Sequence, residues 1–93
     1  MAKTSSVDLR LPLDRKAGID LQNAEWWEPG SRFVLVRYSV RGDLQELGLR
    51  LDLDKRVFLD DFNDPVLDEK LRSVAHKICS NVAEAKKAAR LAS

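Results

Sequence analysis

The chain has one cysteine, Cys79, and one histidine, His76, in 93 residues. A single cysteine excludes an internal disulfide, and a cytoplasmic protein is the default expectation for such a chain. His76 and Cys79 lie three residues apart, but two ligands do not make a zinc site, which needs three or four. No third group is placed to orient them for catalysis. Charge of one sign is also missing. Lys and Arg number 16 against 15 Asp and Glu, a net charge of +1, without the basic excess of many nucleic-acid binders. No apolar run approaches the ~18 residues that span a bilayer. The N-terminal Met-Ala-Lys-Thr-Ser-Ser lacks the apolar segment of a secretory signal. Glycine-rich phosphate loops, dinucleotide fingerprints and nucleophile elbows do not occur. The expectation is a chain that is not an enzyme, with no membrane span, no cofactor, no metal and no catalytic residue.

What is present is alternation. Between Arg32 and Leu59 the side chains Val34, Val36, Tyr38 and Val40 fall on one face of a strand, and Leu47, Leu49, Leu51 and Leu53 on one face of another. A turn at Gly42-Asp43 gives one register that pairs Tyr38 with Leu47, Val36 with Leu49 and Val34 with Leu51. A one-residue slip would turn every leucine to water. Val57 and Leu59 extend the inward face on a further strand, with Asp52 opposite Arg56 across a three-residue turn. Upstream, Val7, Leu9, Leu11 and Leu13 alternate with polar residues. Pro12 lacks a backbone donor, which places that strand at a sheet edge.

Residues 15–31 read as a long loop after this strand. Asp20 is suited to cap a short helix there through Leu21, Ala24 and Trp27, and Pro29-Gly30 marks a turn. Of the adjacent Trp26 and Trp27, one is expected under the sheet rim and the other partly exposed. Downstream, Asp64 is an N-cap and Pro65 fits the first helical position. Leu67, Leu71, Val74, Ala75, Ile78, Val82, Ala85 and Ala89 then recur at helical spacing. A helix of that length outruns an eight-residue strand, at about 1.5 Å per residue against about 3.3 Å. Its C-terminal end should therefore overhang the sheet.

The expected fold is a single α+β domain over residues 1–93. It has a disordered 1–6, a four-stranded antiparallel meander within 7–60 interrupted by the 15–31 loop, and one long helix over 64–91 packed on one face. At fold level this order of strands and terminal helix is similar to the Whirly proteins and related transcription coactivators. That resemblance implies a dimer and an affinity for single-stranded DNA.

Two surfaces follow as candidates. If the leucines face inward, then Arg10, Arg37, Arg50 and Arg56 face outward with Phe33, Leu35 and Phe58, diluted by Asp8, Glu46 and Asp52. Basic side chains interleaved with aromatics suit a single-stranded nucleic acid, giving Arg10, Arg37, Arg50, Arg56, Phe33 and Phe58 as its contacts. The apolar members of that face, with the tryptophans and the overhanging helix end, suit a homodimer or another protein partner. The interface candidates are Trp26, Trp27, Phe33, Leu35, Phe58, Val82, Ala85 and Ala89. The acids Asp60, Asp61, Asp64, Asp68 and Glu69 read as complements to the helix dipole rather than as a cation site. Arg41-Gly42-Asp43 reads as turn chemistry. The first expectation is a small interaction protein that pairs with itself; the second is a nucleic-acid module.

Overall fold

The computed structural model describes residues 5–27 and 30–92, with side chains described as far as Ala88. Six strands, β1 Ser5–Asp14, β2 Ile19–Trp26, β3 Phe33–Val40, β4 Asp43–Leu44, β5 Leu49–Asp52 and β6 Val57–Phe58, precede one helix, α1 Pro65–Ala92. The strand order is β1-β2-β3-β5-β6, antiparallel throughout, with β4 paired to the end of β3. The α+β class, the meander and the C-terminal helix on one face are as the sequence implies, but six strands stand where four are expected, and Ser5 and Ser6 open β1 rather than belonging to a disordered end, residues 1–4 lying outside the described residues. The strand carrying Pro12 does lie at an edge.

Residues 15–31 are not a loop, and Asp20 caps no helix: Ile19–Trp26 is the second strand of the meander. Its apolar pattern slips by one residue. Ile19 and Leu21 are buried, then Ala24 and Trp26. A bulge at Gln22 absorbs the slip, since Leu21 and Asn23 pair with the consecutive Tyr38 and Arg37. All four apolar side chains therefore reach the core, although strict alternation would send two of them outward.

Two of the three pairs expected in the central hairpin form, Val34 with Leu51 and Val36 with Leu49. The third does not. β4 occupies the end of β3, and the backbone of Gln45 donates to the Tyr38 carbonyl at 3.0 Å. Leu47 is thrown outward and is 81% exposed. The β5–β6 turn is also longer than three residues. Asp52 pairs with Val57 and Leu51 with Phe58. Phe58 therefore packs on the core, whereas Val57 and Leu59 are exposed, the reverse of the expected phase.

The helix begins as its sequence dictates. Asp64 Oδ1 accepts from the backbone N–H of Val66 at 2.9 Å and of Leu67 at 3.3 Å, satisfying two donors that a helix start leaves free. Asp68 Oδ1 accepts from the Phe62 N–H at 2.8 Å, and Asp61 Oδ1 from that of Asn63 at 3.0 Å. Phe62 then meets Tyr38 edge-to-face at 5.2 Å between ring centres. Leu71, Ala75, Ile78, Cys79 and Val82 face the sheet and join its inner face in one core. Lys70 reaches Asp14 at 3.5 Å. Lys86 sits over the Trp26 ring and donates to the Ser31 carbonyl.

These contacts define the core tightly. Leu21→Ala removes a fully buried side chain from β2 and is expected to cost about 2–5 kcal/mol, a large part of the ~5–14 kcal/mol available to a chain of this size. Measured at high dilution, where contacts between chains do not contribute, Leu47→Ala is expected to change stability by no more than about 0.5 kcal/mol. Urea denaturation of both variants at matched m-values checks the pair; equal costs would contradict this assignment of the faces.

Candidate functional site

With α1 on the inner face, the open surface of the sheet is its outer face. Phe33 and Leu35 project there from β3, opposite in phase to the buried Val34 and Val36. Arg50 lies across from Leu35. Leu59 donates its backbone N–H to the Arg50 carbonyl at 2.8 Å and is 47% exposed. Leu47, Leu35, Gly48 and Arg50 line a shallow depression of about 340 Å³ closed by Glu46 and Asp60. Gly48 is what lets this surface exist. A Cβ there would lie 2.8 Å from Leu35 Cγ and 2.7 Å from the Val36 carbonyl oxygen, so any other residue would displace Leu35. The result is an apolar patch of Phe33, Leu35, Leu47 and Leu59, with Phe33 43% exposed.

The charges beside the patch are largely matched within the chain. Arg50 holds Asp60 through two side-chain hydrogen bonds of 3.0 Å, and Asp60 also accepts the Arg50 backbone N–H at 2.9 Å. These bonds hold the Asp60 carboxyl below its usual range, the side-chain bond from Arg50 most of all. At the end of β3 and β5, Arg32 stacks over Phe33 at 5.1 Å and donates to Asp52, the closest contact being 2.9 Å. Asp52 is only 1% exposed, against the expectation that it points to water opposite Arg56. It also accepts from the backbone N–H groups of Asp54 at 2.9 Å and Lys55 at 3.1 Å. The Arg32 hydrogen bond lowers its pKa against the opposing effect of burial.

The arginines singled out from sequence do not converge. Arg37 donates to the Gln45 carbonyl at 3.1 Å, and its Nε is buried without a hydrogen-bond partner. Arg50 is engaged with Asp60. Arg56 sits in the β5–β6 turn with its guanidinium 3.5 Å from His76 Nδ1, at the helix side. Arg10 is exposed near the opposite edge of the sheet. Phe58 belongs to the core and not to the outer face. Among the interface candidates, Trp26 and Val82 are core residues, and Ala85 is half-buried against the core. Phe33 and Leu35 lie on the outer face, and Trp27 is 52% exposed. The side chain of Ala89 lies outside the described residues. Because the sheet uses the helix stripe as far as Val82 and Ala85, the helix end leaves less apolar surface than its length implies.

Cys79 is buried, and burial pushes its thiol pKa up, which makes it a packing residue. Among the described residues no cluster of His, Cys, Asp or Glu is arranged to hold a metal, and no helix is long and apolar enough to cross a membrane. Leu47 and Leu59 are exposed although periodicity alone assigns both to the core. No protein-family model, curated protein or solved structure matches this chain.

The Asp52 environment predicts an acid response. Its folded pKa is lowered, so the stabilisation it supplies is present above its unfolded pKa of about 3.9 and is lost as pH falls through the folded value. Asp52→Asn is expected to lower the melting temperature at pH 7, with the difference from wild type shrinking below about pH 4. Thermal unfolding across that range checks it; a difference independent of pH would contradict the ion-pair role.

Proposed function

We propose that this chain is a small non-enzymatic interaction protein that pairs with a second copy of itself through the outer face of its sheet. The observation that carries this reading is the patch of Phe33 and Leu35 on β3 with Leu47 and Leu59 in bends beside β5 and β6, Leu47 being the most exposed large apolar side chain among the described residues. Exposed apolar side chains gathered on one face in this way mark contact sites. A second copy suits it for two reasons. A twofold contact places the same patch on both sides, so apolar surface meets apolar surface. Arg50 is already neutralised by Asp60, so the contact does not bury an unpaired charge there.

The nucleic-acid reading has weaker support. Of its six contacts, Arg37 and Arg50 are engaged within the chain, Phe58 is in the core and Arg56 lies at the helix side. Phe33 and Arg10 remain exposed at separate places.

Light scattering at micromolar concentration is expected to give twice the chain mass. Leu47→Glu is expected to return it to the mass of one chain, with an unchanged circular-dichroism spectrum, since Leu47 contributes little to the core. A wild type that stays monomeric as concentration rises would overturn the proposal. An oligonucleotide that binds at low salt, with affinity falling steeply as salt is added, would favour the other reading.

A further inference from the structure

Toward its β1–β2 side the sheet carries a second depression of about 390 Å³, lined by Asp8, Arg10, Gln22, Asn23, Ser39 and Leu44, with Gly42 at its edge. Its floor is irregular. Asp8 and Leu11 pair with Asn23 and Leu21, so Leu9 and Arg10 together oppose Gln22 alone. Gln22 is itself the extra residue of β2 against β3. Two bulges thus stack side by side at one level of the sheet.

Arg10 has φ +45°, and of the non-glycine residues with positive φ among those described it alone lies inside a strand; Arg41, Arg56 and Asn63 are in turns or bends. Such a conformation is unfavourable for a side chain other than glycine. A bulge in an edge strand protects against unwanted pairing, which accounts for Arg10 in part. The bulge at Gln22, in an interior strand, keeps Ile19, Leu21, Ala24 and Trp26 on the core face, and Gln22 itself lines this depression.

The groups around this floor are left with complementary capacity. Gln22 Nε2 donates to Ser39 Oγ at 2.7 Å, which leaves Gln22 Oε1 as an acceptor and the buried Ser39 hydroxyl as a donor. Asn23 Nδ2 donates to Glu25 at 3.3 Å, leaving Asn23 Oδ1 as an acceptor. Asp8 and Arg10 take no part in the ion pairs of the described residues, which join Arg32 to Asp52 and Asp54, Arg50 to Asp60, and Lys70 to Asp14. One depression therefore presents an unpaired guanidinium and a hydroxyl beside an unpaired carboxylate and two amide oxygens, with Leu44 as an apolar wall.

We infer that this depression is a binding site for a free α-amino acid with an apolar side chain. Arg10 and Ser39 Oγ would take its carboxylate, the guanidinium by a paired hydrogen bond. Asp8, Gln22 Oε1 and Asn23 Oδ1 would take its ammonium, which has three donors and no acceptor. Leu44 would meet the side chain. The strained backbone at Arg10 then has a purpose, because it lies where Arg10 and Asp8 line one depression without pairing with each other.

The test uses the full chain, isotope-labelled, with L-leucine at millimolar concentration and amide shifts as the readout. N-acetyl-leucine, which lacks the ammonium, and leucinamide, which lacks the carboxylate, serve as controls. L-leucine is expected to shift the amides of Asp8, Arg10, Gln22, Asn23 and Ser39. Both derivatives and Asp8→Asn are expected to bind about tenfold or more weakly. Arg10→Gly is expected to lose binding while raising the melting temperature, because glycine adopts positive φ at little cost. That combination separates a binding role from a structural one. Absence of shifts with L-leucine, equal shifts with N-acetyl-leucine, or undiminished binding in Arg10→Gly would each overturn the inference. Pairing through the outer patch is read separately, by the mass from light scattering.

Discussion

One apolar contact holds the chain together: the inner face of β2, β3 and β5 against the stripe of α1. Leu21, Ala24, Val36, Leu51, Ile78 and Val82 are fully buried within it. A domain this small has only one such core to draw on. The other features are arranged around that contact. Asp64 and Asp68 fix where the helix starts, Lys70 and Lys86 tie it to the two ends of the sheet, and the bulges keep apolar side chains of β1 and β2 turned toward it. Because the single helix covers one face only, the opposite face is left to water or to a partner.

That one-sidedness links packing to the proposed function. The helix stripe is consumed by the core as far as Ala85, so the overhang that helix length alone implies is short. Several of the exposed large apolar residues, Phe33, Leu47 and Leu59 among them, lie on or beside the sheet. Leu47 is exposed because β4 takes its place at the end of β3, and Leu35 lies as it does because Gly48 has no Cβ. The charges nearby close on one another, with Arg50 on Asp60 and Arg32 on Asp52. They leave an apolar patch rather than a basic one.

Much of this fold was legible in the sequence where the apolar period was unbroken. Val34 and Val36 against Leu49 and Leu51, Pro12 at an edge, the Asp64 cap and the helix stripe all follow from local rules. What was not legible has a common cause. A bulge shifts a period-two pattern by one residue, so Ile19, Leu21, Ala24 and Trp26 do not look like one strand. Departures from simple hairpin geometry misplace Leu47, Val57, Phe58 and Leu59 in the same way, since a turn one residue longer exchanges inside for outside. The candidate site inherited that error. Phe33 and Leu35 lie on the outer face as their period implies, but Phe58 is core where its period implies surface, and Leu47 and Leu59 are exposed where theirs implies core. The Arg32–Asp52 pair depends on strand ends meeting across 20 residues, and no local pattern announces it.

The central claim is that the outer face of the sheet meets its own copy. Amide chemical shifts followed as the protein is diluted test it residue by residue. The account predicts concentration-dependent shifts at residues 33–35, 46–48 and 59, with the solvent-facing residues of α1 unmoved. Shifts confined to α1, or none across a concentration range that spans micromolar to millimolar, would contradict it.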